Sequence, residues 1–437
     1  MPEIRPFRGL RYDPDVVGDM AAVVSPPYDV ISADQRRRLV ERHPANVVAV
    51  ELPVEETGDE PDDRYRRAAR IFAGWRSDGT LRKDPRPAVY VYEQTYAVPG
   101  STEIRIQRGF FARLRLEPLG AAGGVLPHER TLSGPKEDRY RLLRATGANV
   151  SPVVVIQEPQ DETDRLLAAV ASEPSAVDLT DEDEVRHRLW VVPDDGRPDG
   201  RAARLCALAG QGPVTIADGH HRYETALRYR DERRVTRSGE QDPPFDHLLV
   251  LVLGLGTTRP TILPTHRLVA GLGDDGARRL LERVGELFEA EPASPEGVVD
   301  RMAEAPPGDG GRFGLLTRSG SAVLRVRRET VEPLLPAGGR ALRHLDVTVL
   351  GVALDRLAGV DPAAVAAGDR VRYAKSAPDA AALVADPGSG VDAAFLLDPT
   401  PVEAVVAVAR DGDVMPQKST YFYPKAITGL VINPHES

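Results

Sequence analysis

His220, His221 and Arg222 follow directly on Asp218 and Gly219 in the stretch PVTIADGHHRYETAL (213–227). Val214 to Ala217 read as a short apolar strand, Asp218-Gly219 as a tight turn, and Tyr223, Ala226 and Leu227 as the opening of a helix. That arrangement puts backbone N–H groups at a helix start, where they face an incoming phosphate. A first helical turn favours acids because the helix dipole is positive there, so a basic opening predicts a bound anion. Asp218 can carry a hydrogen-bonded proton or hold a divalent cation, while Gly219 permits a turn with φ > 0 and close approach to a ligand. The plainer reading makes Asp218 the helix N-cap and leaves the histidines on the surface.

A second stretch, LPHERTLSGPKEDR (126–139), concentrates His128, Glu129, Arg130, Lys136 and Arg139 on what reads as a loop before a helix from Tyr140 to Thr146. Polar side chains at such density on a connection serve a site more often than a core. In the plainer reading, Ser133 and Asp138 are turn and cap residues of a solvated loop. A third stretch, VMPQKSTYFYPKAITG (414–429), mixes hydroxyls, two lysines and three aromatics. Its Pro and Gly content argues against regular structure. It either returns to line a pocket or packs Tyr421, Phe422 and Tyr423 against the body. His266, in a ProThrHisArg turn, can return to the same site; His247 reads as structural.

The elements that must position these residues follow from periodicity. Ser32 caps a helix with Gln35 at the capping-box position, and Val47 to Leu52 reads as a buried strand. Tyr65 to Trp75 is an amphipathic helix, and Ala88 to Tyr96 with Ile104 to Leu116 a hairpin. Val153 to Gln157 is a strand, Glu162 to Ser172 a helix, and Glu184 to Val192 contains a strand with Trp190 in the core. Arg201 to Leu208 is a helix, and Asp246 to Leu253 a central strand. Further on come a helix from Asp275 to Glu289, strands at Phe313 to Leu316 and Ala322 to Arg327, and a helix from Val347 to Leu357 capped by Asp346. Residues 308–312 and 336–339 read as flexible turns.

The 437 residues suggest two or three domains, divided here as 1–110, 111–270 and 275–437, the middle one built around the Asp218 motif. With 41% hydrophobic and 28% charged residues and a net charge of -10, arginines interleaved with acids argue against a broad nucleic-acid surface. A single cysteine, Cys206, excludes an intrachain disulfide and a thiolate zinc cluster, and it reads as a buried helical side chain. No secretory leader or bilayer-spanning apolar run is apparent, so no membrane association and a cytoplasmic location are expected. No feature sets an oligomeric state. The P-loop, GxGxxG, HExxH and GxSxG signatures are absent.

SPPYDVI (25–31), HERTLSGPKEDR (128–139), ADGHHRYETA (217–226) and MPQKSTYFYPK (415–425), in this order over nearly the whole chain, resemble the signature stretches of the bacterial and archaeal family catalogued as domain of unknown function 1015. The DGHHR element is similar to the phosphate-binding motif of the ParB/sulfiredoxin-like fold, in particular of its free-serine kinases. The resemblance implies a mixed α/β fold with a ParB/sulfiredoxin-like nucleotide-binding core elaborated by N- and C-terminal α/β segments. It implies ATP or ADP and Mg2+ as cofactors and, from the serine-biosynthesis genes beside family members, serine or phosphoserine as substrate. Carried over by position, Asp218, His220, His221 and Arg222 bind phosphates and metal. Glu129 as the base is an inference from chemistry, because its spacing differs from that of the small kinases. Lys375 stands where many relatives carry a histidine.

The expected activity is phosphoryl transfer between a nucleotide and a small amino acid, in the kinase or the reverse direction, which requires positioning and charge neutralisation above all. Glu129, Asp218 and His220 would act in catalysis, with Asp218 holding the metal. Gly219, His221, Arg222, Lys136 and Arg139 would bind nucleotide phosphates. His128, Arg130, Thr131, Lys418 and Ser419 would bind substrate. Two rival expectations are a ParB-like nucleotide-binding switch without metabolite chemistry and a metal-dependent hydrolase using His128, His220, His221 and His266. Against the latter, neighbouring side chains on a helix point about 100° apart.

Overall fold

The computed structural model describes residues 1–120, 123–129, 133–237, 239–304, 311–416 and 418–435. The architecture is mixed α/β and divides into two compact units. The first comprises Met1–Pro127, Thr131–Pro260 and Pro424–Ser437; the second comprises His128–Arg130 and Thr261–Tyr423.

Among the described residues, the first unit is built on a nine-stranded mixed sheet. Its strands are β1 (Ile4–Arg5), β2 (Ala88–Ala97), β3 (Ile104–Arg115), β4 (Val125–Leu126), β5 (Val153–Gln157), β6 (Val177–Thr180), β7 (Arg186–Pro193), β8 (Val214–Asp218) and β9 (His247–Gly254). The spatial order is β4-β8-β5-β9-β3-β2-β7-β6, with β1 paired to β3. The hairpin β2–β3 is antiparallel, as its Pro-Gly turn predicts, and β9 runs antiparallel to β3 and parallel to β5. Every residue of β9 is buried, which explains its uninterrupted apolar sequence. Trp190, Phe110, Val250 and Val252 share one core with Tyr223, Ala226 and Tyr229 of the helix His220–Thr236 and with Cys206 of the helix Arg201–Ala209. Burial pushes the Cys206 thiol up to about 12, so it serves packing rather than nucleophilic chemistry.

Residues 424–435 are part of this unit. Leu10 and Ile432 exchange two backbone hydrogen bonds of 2.9 Å, Ser25 and Thr428 exchange two more, and the His435 N–H donates to the Gly147 carbonyl. Ile432 is fully buried in a second core with Leu10, Tyr12, Val47, Trp75 and Leu142.

In the second unit, six strands form an antiparallel sheet in the order Phe288–Pro292, Gly320–Val326, Arg312–Thr317, Ala393–Leu397, His266–Val269 and Val371–Ala374, among the described residues. No described helix is long and apolar enough to cross a membrane.

Several local expectations are corrected. Val48–Glu51 is one helical turn rather than a strand, because the Asn46 carboxamide accepts the Val48 N–H and donates to the Ala22 and Val24 carbonyls, fixing a tight turn. The helix expected from Tyr140 begins at Ser133, so Lys136 and Arg139 are helical. The helix expected to reach Glu289 is the segment Gly273–Arg283, after which Phe288–Pro292 pairs as a strand with Gly320–Val326. Residues 260–267 are mostly strand: Thr261–Leu263 pairs with Tyr421–Tyr423, which gives the C-terminal stretch regular structure after all. Asp346 opens its helix, but its carboxylate accepts the Gly311 N–H at 2.6 Å instead of capping its own first turn. Most of the turn at 308–312 lies outside the described residues.

Replacing Ile432 by Ala should destabilise the first unit by about 2–5 kcal/mol in chemical denaturation. A surface-like loss of a few tenths would contradict its place in that core. Burial lowers His247 to about 4 and His435 to about 3, so both stay neutral in the fold while the unfolded chain takes up protons below its ordinary 6.5. Stability should therefore fall as the pH drops from about 6.5 towards 4, and His435→Gln should flatten that slope.

Candidate functional site

The backbone leading into the site is irregular by construction. Opposite β5, Thr215 and Ile216 pair with Ile156 and Val155, but Asp218 pairs with Val154, so one extra residue is inserted at Ala217. Such a bulge re-aims the side chain that follows it. Gly219 is left-handed, at φ 93° and ψ 28°, and is itself the helix N-cap, with no side-chain capping bond. Asp218 is therefore not the cap of this helix.

Its carboxylate instead lies between two cations. Oδ1 accepts Lys425 Nζ at 2.7 Å and Oδ2 accepts Arg222 Nη2 at 2.6 Å. Burial alone would raise the Asp218 carboxyl, but Lys425, Arg222 and His220 hold it well below the usual range, so it stays ionised. Arg222 also donates through Nη1 to the Pro152 carbonyl, while its buried Nε has no hydrogen-bond partner among the described residues. A Cβ on residue 219 would stand 3.0 Å from that Nε, so the bare glycine makes room beside the guanidinium. His220 is buried and His221 half-buried at the same helix start.

Around Arg222 lie residues from two of the other sequence motifs. Arg222 feels the charges of Tyr28, Asp29 and Glu51. The Arg139 guanidinium stacks 4.1 Å above the Tyr28 ring, donates to the Glu51 carbonyl at 2.7 Å and pairs with Asp138. Burial pushes the Tyr28 phenol up to about 12 against the opposing charges of Arg222 and Arg139. Burial also raises the Glu51 carboxyl, which accepts the Ser151 hydroxyl at 2.7 Å. A cavity of about 40 Å3 lies among Glu51, Arg139, Asn149, Ser151, Arg222 and Thr225. Lys136, on the helix Ser133–Thr146, donates to Glu224 at 2.8 Å and so faces the helix His220–Thr236.

The structure thus gathers Asp218, Gly219, His220, His221, Arg222, Lys136 and Arg139 in the first unit. Tyr28, Glu51, Ser151 and Lys425 join them without having been singled out from the sequence. Glu51 carried a signal, being a lone acid in the apolar run NVVAVEL, and Lys425 stands in a stretch otherwise dominated by aromatics.

The remaining described candidates, Glu129, His128, Lys418, Ser419 and His266, fall in the second unit. Glu129 bridges to Met415 and accepts the Lys418 N–H at 3.4 Å. His128 is buried, 3.3 Å from the Thr420 hydroxyl, with its ring against Phe422. Ser419 is buried, and its hydroxyl donates to the Pro416 carbonyl. Arg130 and Thr131 lie outside the described residues. His266 accepts the Leu397 N–H at 3.2 Å, and burial lowers it to about 4, which makes it a neutral core residue of its sheet. Among the described residues no three His, Cys, Asp or Glu side chains are grouped to hold a metal ion.

A family model described as protein of unknown function (DUF1015) matches residues 4–348. The chain belongs to that family. No curated protein matches it. Among solved structures, a free serine kinase in complex with AMP is 15% identical, with 68% of this chain and 83% of that chain covered at a TM-score of 0.34. A conserved hypothetical protein from Pyrococcus furiosus is 15% identical over 70% of this chain and 92% of that chain, at a TM-score of 0.34. SbnI with C-terminal truncation, from Staphylococcus aureus, is 11% identical over 70% and 83%, at a TM-score of 0.34.

Gly219→Ala should cost at least about 1–2 kcal/mol, because a Cβ is penalised in the left-handed region and here also crowds Arg222. Unchanged denaturation midpoints for this variant would contradict the turn geometry.

Proposed function

We propose that the first unit binds the phosphates of a nucleotide at the start of the helix His220–Thr236, and that the protein transfers a phosphoryl group between that nucleotide and serine or phosphoserine. The observation that carries the reading is the buried Nε of Arg222, which has no hydrogen-bond partner among the described residues and lies beside a side-chain-free Gly219. A buried donor without an acceptor costs free energy, and a phosphate oxygen would satisfy it. The charge balance agrees: Lys425 and Arg222 bring two positive charges to the single negative charge of Asp218, and His220 and His221 stand at the positive end of a helix.

In this reading Arg222, His221 and the backbone at Gly219 hold phosphate oxygens, His220 offsets charge developing in transfer, and Asp218 fixes the Arg222 and Lys425 head groups. Lys136 and Arg139 act from the neighbouring helix, Lys136 by its charge and Arg139 by holding Tyr28 and Glu51. Glu129 is the proposed base for the amino-acid hydroxyl, with His128, Arg130, Thr131, Lys418 and Ser419 binding that substrate. The chemistry is positioning and neutralisation, the mode by which phosphoryl transfer is generally accelerated.

The decisive measurement is a thermal-shift and calorimetric screen of ATP, ADP, serine and phosphoserine with and without Mg2+. A nucleotide should raise the melting temperature of the wild type and not of Arg222→Met. Glu129→Gln should retain nucleotide affinity while turnover drops by about 100-fold or more. No shift with any nucleotide would overturn the reading; full activity in Glu129→Gln would remove the base.

A further inference from the structure

Phosphoryl transfer commonly recruits a hard divalent cation, which seeks carboxylate oxygens in an octahedral shell. The donors at Asp218 do not fit one held by the protein. Both carboxylate oxygens are engaged by cations, Lys425 at 2.7 Å and Arg222 at 2.6 Å, and no further cluster of ligands is grouped there among the described residues. We propose, building on the phosphate site above, that Lys425 is the resident counter-cation of Asp218. It stands where a divalent ion would bind, keeps the nucleotide-free protein from taking one up, and joins Arg222 in meeting the phosphate.

The lysine is built in. Its carbonyl accepts the Gln94 side-chain amide at 3.0 Å, and Gln94 in turn accepts from Gln107 at 3.0 Å; the two glutamines are buried on the adjacent strands β2 and β3. From Thr428 onward the chain is pinned by the paired hydrogen bonds at Thr428 and Ile432. The side chain is only 14% exposed, so solvent screens the Asp218 pair less than a surface pair. A divalent ion approaching Oδ1 would meet a positive charge at contact distance and a second one on Oδ2. With Lys425 and Arg222 in place the carboxylate stays ionised, so occupancy of its oxygens, and not protonation, limits metal binding in the wild type.

Removing the ammonium while keeping the chain separates this role from simple support. In Lys425→Met, Arg222 still satisfies Oδ2 while Oδ1 becomes available; Lys425→Arg keeps the charge. Mn2+ binding to the full-length protein, followed by electron paramagnetic resonance without nucleotide, reports on the carboxylate directly. Lys425→Met should bind Mn2+ at least about tenfold more tightly than wild type or Lys425→Arg, and adding Asp218→Asn should abolish the gain. Metal-free ADP should bind Lys425→Met about tenfold more weakly by calorimetry. Equal Mn2+ affinity in wild type and Lys425→Met, or tight Mn2+ binding by the wild type, would overturn the proposal. Should Lys425→Met fail to fold, Lys425→Gln provides the same comparison with a polar side chain. Absence of ADP binding to the wild type would count against the phosphate site alone, because the Mn2+ comparison still decides the role of Lys425.

Discussion

One half-buried carboxylate, that of Asp218, ties together distant parts of the first unit. It takes Arg222 from its own helix and Lys425 from a segment 207 positions away in sequence. A buried ion left with no partner costs several kcal/mol, so the three groups constrain one another's positions strongly. The β8 bulge, the left-handed glycine and the paired C-terminal segment are each needed for that geometry. They deliver, in turn, the direction of the carboxylate, room for the guanidinium, and the ammonium.

Beyond this triad the site is a chain of charge and hydrogen bonding. Arg222 shares its surroundings with Glu51 and Tyr28, Arg139 spans the same two residues, and Asp138 takes the rest of the Arg139 fork together with Tyr65 and Arg64. Networks of this kind are costly when half-satisfied and rigid when complete. The rigidity suits the proposed phosphate site, since preorganised donors need no rearrangement when charge develops.

Much of this could be read from the sequence, and the failures share one cause. Strand β8, the turn and the helix after it were legible because the apolar pattern changes from a continuous run to helical spacing within a few residues. The hairpin β2–β3 and the central strand β9 were legible for similar local reasons. Val47 to Leu52 looked like a strand because β-branched residues dominate it, yet distant carbonyls of Ala22 and Val24 hold Asn46, and the turn follows from Asn46. Arg139 looked like a loop residue because Gly134 and Pro135 precede it, whereas the helix already includes them. The contribution of Lys425 rests on backbone pairing with Leu10 and Ser25, which no local periodicity encodes.

The interleaving of the two units also constrains synthesis. Every partner of Asp218 except Lys425 has emerged once Pro260 is made, but Pro424–Ser437 follows only after Thr261–Tyr423. At translation rates of roughly 5–20 residues per second, the nascent first unit waits on the order of ten seconds with Asp218 paired to Arg222 alone and Leu10 uncovered. A chaperone or the ribosome surface has that interval in which to act on it.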